Sequence, residues 1–222
     1  MLNKFIDFCR KNFDLDSSHY AIPYQSLSTC ILDCVYSLRA KYYSTTVPLV
    51  QRYADKFMDG NPYAAGDTLE KFIDNINNNG GVDLFAQNIL KNKQRLGGDI
   101  KSFVCYEIAR KLLLLGINDI ETFRSFKSLE ILEIVISSVK GMGTAGMNYL
   151  FMLAGDPNRC KPDVHIHHCI RDAIGHDLSD DECQVLLTSA VQVLKHDYPN
   201  LTVKNLDGLI WSKYQVGNRG AN

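Results

Sequence analysis

Along most of the chain, apolar residues return at every third or fourth position. No segment sustains the two-residue alternation of a half-buried strand. The pattern predicts an all-α protein with helices over 2–12, 24–39, 45–58, 67–77, 82–90, 99–115, 119–125, 128–138, 144–154, 164–175, 180–196 and 203–214. Asp67 before Glu70, Asn118 before Glu121 and Ser179 before Glu182 place a capping residue three positions ahead of a carboxylate. Asp99, after Gly97 and Gly98, reads as the cap of the next helix. Asn61-Pro62, Asn77–Gly81, Gly97-Gly98 and Asp156-Pro157 read as turns, and none is a long linker. The expected architecture is a two-lobed helical bundle with a cleft between the lobes. Residues 45–155 would form the central lobe, and 1–44 with 156–222 the terminal one.

The break between the helices at 128–138 and 144–154 has specific chemistry. It reads Val139-Lys140-Gly141-Met142-Gly143, followed by Thr144 and Ala145. Two glycines one residue apart permit positive φ without a Cβ clash. The chain can then turn tightly, with Met142 tucked against both helices. Successive N–H groups and the next helix N-terminus would form a cradle for a phosphate oxygen. Such a contact positions DNA and carries no base information. On its own, Gly-x-Gly also fits a plain link between packed helices.

Downstream, Lys161-Pro162-Asp163-Val164-His165 places a carboxylate where a helix begins. The helix dipole and free N–H groups favour its ionised form there. The bland alternative is a simple N-cap, worth about 1 kcal/mol.

A glycine hairpin, an apolar helix, then an aspartate opening another helix together resemble the helix-hairpin-helix DNA glycosylases related to endonuclease III. The spacing from Gly143 to Asp163 is close to that family's. The segment Ile31–Lys41 is similar to the family's early helix, which would make Arg39 the residue that wedges into the base stack, with Lys41 beside it. Leu206-Asp207-Gly208-Leu209-Ile210-Trp211 resembles the closing helix of a bacterial branch without an iron–sulfur cluster. The likeness spans roughly residues 24–214. It implies base excision from double-stranded DNA, with Asp163 as the catalytic carboxylate. Bifunctional members carry a lysine where this chain has Ala145, so no Schiff-base lyase chemistry is expected. A carboxylate beside the sugar stabilises the positive charge that grows as the N-glycosidic bond breaks. The target base must first leave the stack. Tyr36, Tyr42, Tyr43, His165 and Trp211 are the candidate pocket residues, although each of the aromatics also reads as core or rim. The excised base stays open among alkylated, oxidised and deaminated bases, with an alkylated purine as the first guess.

Composition changes this picture little. The chain has 222 residues, 45% hydrophobic and 22% charged, as in an ordinary globular protein. The formal net charge of −1 weighs mildly against nucleic acid as a partner, so local basic surface must carry any such binding. Lys91, Lys93, Arg95 and Lys101 cluster, followed by Arg110 and Lys111; Arg39, Lys41 and Lys140 would join a DNA-facing rim. No apolar run is long enough to cross a bilayer, and the amphipathic N-terminus is no signal peptide. An intracellular monomer without cofactor is expected, with nucleoid association in a bacterial cell. The seven cysteines are scattered without a C-x-x-C pair and read as buried free thiols. Two other functions compete with base excision. One is a non-catalytic helix-hairpin-helix DNA-binding module. The other is a zinc enzyme using Asp163, His165, His168 and Cys169.

Overall fold

The computed structural model describes residues 1–17 and 23–217. The chain is mostly helical, as the periodicity predicts. It divides into two units, Ile22–Gly155 and Met1–Ala21 with Asp156–Asn222.

The larger unit is built around α2 (Leu27–Ser37), all eleven residues of which are buried. A helix buried on every side needs partners on every side. Here they are α3 (Val47–Phe57), α4 (Leu69–Asn78), α6 (Lys101–Leu114) and α9 (Thr144–Ala154). Cys30, Ile31, Leu32 and Val35 are all fully buried. Each of the larger aliphatic side chains contributes roughly 1.5–3 kcal/mol. α5 (Gly81–Asn88), α7 (Ile120–Arg124) and α8 (Leu129–Ser137) complete this unit. A five-residue π-helix, Tyr42–Thr46, runs directly into α3.

The second unit packs α1 (Leu2–Asn12), α10 (Val164–Ile174), α11 (Asp180–Leu194) and α12 (Val203–Gly217) around its own core. That core includes Phe5, Cys9, Ile166, Cys169, Ile170, Leu187 and Leu206. All seven cysteines are buried and free. None of the helices is long and apolar enough to cross a membrane, among the described residues.

Four expectations are corrected. Residues 23–44 belong with the central unit, because α2 is its core helix. Thr68, not Asp67, caps α4, since Asp67 is drawn inward to accept from the Ser28 and Tyr53 hydroxyls. Asp119, not Asn118, caps α7 in a reciprocal box with Thr122. Asp99 caps no helix but lies in a two-residue strand. β1 (Arg95–Leu96) and β2 (Asp99–Ile100) form an antiparallel hairpin around Gly97 and Gly98. Strands of two residues are too short to show alternation. The expected box at Ser179 and Glu182 is present.

Candidate functional site

The turn between α8 and α9 has one glycine in the left-handed region and one outside it. Gly141 has φ +95°, whereas Gly143 is extended (φ −85°, ψ −174°) and serves as the N-cap of α9. Of the positive φ that both glycines permit, Gly141 alone makes use. Val139 and Met142 are buried and anchor the turn, with the Met142 N–H donating to the Val139 carbonyl at 3.0 Å. Lys140, Gly141 and Gly143 are exposed; Thr144 and Ala145 are half-buried. No side chain caps α9, so its first-turn N–H groups keep their capacity for an acceptor.

Two other segments of the same unit meet this turn. A Cβ added at Gly97 would lie 2.9 Å from the Gly141 nitrogen, and one added at Gly141 would lie 2.7 Å from Leu96 Cγ. The β-hairpin and the α8–α9 turn thus press backbone against backbone, which only glycine permits. Lys140 reaches Asp99 across this contact, Nζ to Oδ2 at 3.8 Å. The loop after α2 arrives from the other side. Gly146 accepts from the Cys34 thiol at 3.1 Å, and a Cβ there would crowd Leu38 Cδ1 at 3.1 Å. Leu38 precedes Arg39, an exposed residue held at φ +55°. A non-glycine residue in that region is uncommon and persists where its surroundings enforce it. Lys41, Lys91, Lys93 and Arg95 are exposed as well.

Lys101 and Tyr36 leave the proposed surface. Lys101 is 1% exposed. Its ammonium donates to the Tyr36 carbonyl at 3.2 Å, the Leu38 carbonyl at 2.7 Å and Gln94 Oε1 at 3.1 Å. It lies 5.6 Å from the centre of the Tyr36 ring. A cation here complements the negative end of the α2 dipole. Tyr36 is fully buried in the core and faces no extruded base. Arg110 pairs with Glu107 at 2.9 Å on the α6 surface.

A buried acid lies one turn earlier on α2. Asp33 is fully buried and accepts three phenol hydroxyls: Tyr24 at 2.9 Å, Tyr42 at 2.8 Å and Tyr149 at 3.0 Å. Burial, then the charge of Asp33, raises all three phenols well above their usual range, so they stay protonated donors. Tyr42 is half-buried, with its hydroxyl committed to Asp33, while Tyr43 is 55% exposed.

In the second unit, Asp163 is the N-cap of α10. Its Oδ1 accepts from the His165 N–H at 2.9 Å and the Ile166 N–H at 3.4 Å. Both bonds fall on one oxygen, so Oδ2 keeps its acceptor capacity. Asp163 is half-buried. The preceding segment is tied down: the Lys161 N–H donates to Asp207 Oδ1 at 2.8 Å and the Cys160 N–H to Gln184 Oε1 at 2.9 Å. Asp207 is 8% exposed. Burial, then the negative charge of Asp163, pushes its carboxyl up to about 7. His165 is half-buried, with an Nδ1 that is buried without a hydrogen-bond partner, and Trp211 is half-buried on α12. The zinc alternative fails on geometry. Cys169 lies in the apolar core, and no group of three His, Cys, Asp or Glu side chains is arranged to hold a metal ion, among the described residues.

A model of the domain of unknown function DUF8548 matches residues 4–215. The chain belongs to that family. No curated protein and no solved structure matches it.

Sequence reasoning passed over three features of this DUF8548 chain. Asp33 and Lys101 each looked like ordinary helix residues, one within an apolar run and the other within a basic cluster. The signal for Asp33 was a lone carboxylate on a helix with no polar face, which must find donors inside. Asp207 was quoted only as part of a motif. Its role as acceptor for Lys161 joins segments 46 residues apart, which no local pattern reveals.

Proposed function

We propose that this chain is a DNA-binding protein that excises a damaged base by hydrolysing its N-glycosidic bond. The α8–α9 turn acts as a helix-hairpin-helix grip on the duplex backbone. The observation that carries the reading is the uncapped α9 N-terminus behind a Gly141 turn, with Lys140 exposed on it and Arg39 and Arg95 exposed next to Leu38 and Leu96, which pack against α9 and the turn. A phosphate there gains backbone N–H donors, the helix dipole and nearby cations together. Asp163 supplies the second half. Its side chain caps α10, it forms no ion pair among the described residues, and one oxygen keeps its acceptor capacity. In the reaction that oxygen faces the anomeric carbon, stabilises the oxocarbenium-like charge and orients the attacking water. His165 and Trp211, half-buried in the same unit as Asp163, are the remaining candidates to line the base pocket. Ala145 offers no amine, so abasic sites accumulate without strand cleavage. The working form is a monomer on chromosomal DNA inside the cell.

The test is base release from duplexes carrying alkylated, oxidised or deaminated bases, followed by alkali to reveal abasic sites. Asp163→Asn keeps a competent N-cap and should still bind DNA while losing base release. Release by the variant at the wild-type rate refutes the catalytic role. A second reading, the non-catalytic DNA-binding module, is favoured by one fact: every feature of the grip lies in Ile22–Gly155 and asks nothing of Asp163. A wild-type protein that binds duplexes and never releases a base establishes that reading instead.

A further inference from the structure

The segment that leads into Asp163 is held by α11 and α12 of its own unit. On α12 the Lys204 N–H donates to the Pro157 carbonyl at 3.1 Å. On α11 Gln184 holds the segment with both ends of its amide. Its Nε2 donates to the Asn158 carbonyl and its Oε1 accepts from the Cys160 N–H, each at 2.9 Å. The last hold before Asp163 is a carboxyl. Asp207 accepts from the Lys161 N–H at 2.8 Å, and the Lys161 carbonyl accepts from the Asp163 N–H at 2.6 Å across buried Pro162. Lys161 therefore links the two acids through its own peptide groups. Pro162 fixes its φ, which leaves little slack between them.

An acceptor for one N–H need not be an acid, and a buried carboxyl is a costly choice beside an amide. What the carboxyl adds is a titration next to Asp163. Asp207 is 8% exposed. Burial, then the charge of Asp163, pushes it up to about 7, and Lys161 and Lys204 offset this only in part. Burial also raises the thiols of Cys160 on this segment and Cys183 on α11, so neither carries charge at neutral pH. Two carboxyls this close resist ionising together.

We infer that Asp207 is the positioning residue for Asp163: protonated, it holds the segment so that Asp163 Oδ2 faces the sugar, and on ionising it repels Asp163 and loosens that hold. This rests on the base-excision reading above and gives that reaction an upper pH limit built into the fold.

The experiment has two arms, both on the full chain. In the first, amide NMR without DNA follows Lys161 and Ile166, whose N–H groups donate to Asp207 and Asp163, from about pH 5 to about pH 9. In wild type both signals should shift with one midpoint near 7, and Asp207→Asn should abolish that midpoint in both. His165 is unchanged in the variant, so its contribution is common to the two proteins. In the second arm, single-turnover base release and duplex affinity are measured separately, on the alkylated, oxidised and deaminated duplexes of the test above. Wild-type release should fall roughly tenfold between about pH 6 and about pH 8, whereas Asp207→Asn stays within about twofold of its own rate. Asp207→Ala leaves the Lys161 N–H without that acceptor. It should release the base roughly tenfold more slowly than wild type at the lower pH, with duplex affinity within about twofold. If Asp207→Ala fails to fold, wild type and Asp207→Asn decide the question in both arms. Separate midpoints for Lys161 and Ile166, matching pH profiles of release in wild type and Asp207→Asn, or a folded Asp207→Ala with the wild-type rate each overturn the inference while leaving base excision in place. A wild type that releases no base from any of the duplexes overturns the excision reading and the inference with it.

Discussion

Gly141 and Gly143 look alike in sequence and differ in physical demand. Gly141 sits at φ +95° with Leu96 and Gly97 at its back, whereas Gly143 is extended with open space where a Cβ would go. Gly141→Ala should cost roughly 2–4 kcal/mol, from left-handed strain plus the clash, and Gly143→Ala within about 0.5 kcal/mol. Urea unfolding of the two variants checks this, and equal losses would refute it. Asp207 yields a pH prediction. Its carboxyl rises from 3.8 to about 7 because it is buried and faces the charge of Asp163, which Lys161 and Lys204 only partly offset. A folded-state value above the unfolded one means that the folded protein holds the proton more tightly. The associated stability is fully present below pH 3.8 and is lost as pH rises through about 7. Asp207→Asn should flatten that loss and exceed wild type in urea midpoint at pH 8, the Asn oxygen still accepting from Lys161. An equal fall in both proteins between pH 4 and 8 would count against it.

At the scale of elements, most of the helices were legible. The helix over 144–154 appears as Thr144–Ala154, and the box at Ser179 closes as drawn. Two caps were misplaced by one residue, for an instructive reason. Asp67-Thr68 and Asn118-Asp119 each offer two adjacent residues able to cap, and local chemistry cannot rank them. Burial ranks the first pair: the Ser28 and Tyr53 hydroxyls claim Asp67, leaving Thr68 to the helix. Thr68→Ala should therefore cost about 1 kcal/mol, the worth of a cap. Asp67→Ala should cost roughly 3 kcal/mol, because it strands two buried hydroxyls. Thermal melting of both variants tests the order, and a reversed order would refute it. The hairpin at Arg95–Ile100 was invisible because two-residue strands carry no period. Its two central glycines did mark the turn.

For the molecule as a whole, a net charge of −1 says little about DNA, because local basic surface decides such binding. Lys140 is the cation on the turn itself, with a side chain 72% exposed and its Nζ 3.8 Å from Asp99 Oδ2. Lys140→Glu should weaken duplex binding and lower the log–log salt slope by about 1. A slope equal to that of wild type would remove the turn from the interface. The sequence by itself determined the helical class, the place of the breaks, the glycine turn and the cap at Asp163. These depend on neighbours a few residues away, and periodicity and capping report such neighbours directly. Only the tertiary structure decided that residues 23–44 join the central unit, that Tyr36 and Lys101 turn inward, and that Asp33 gathers three tyrosines. Those outcomes depend on which buried polar group finds a partner far along the chain, and a buried charge takes whatever donors the packed core brings within reach.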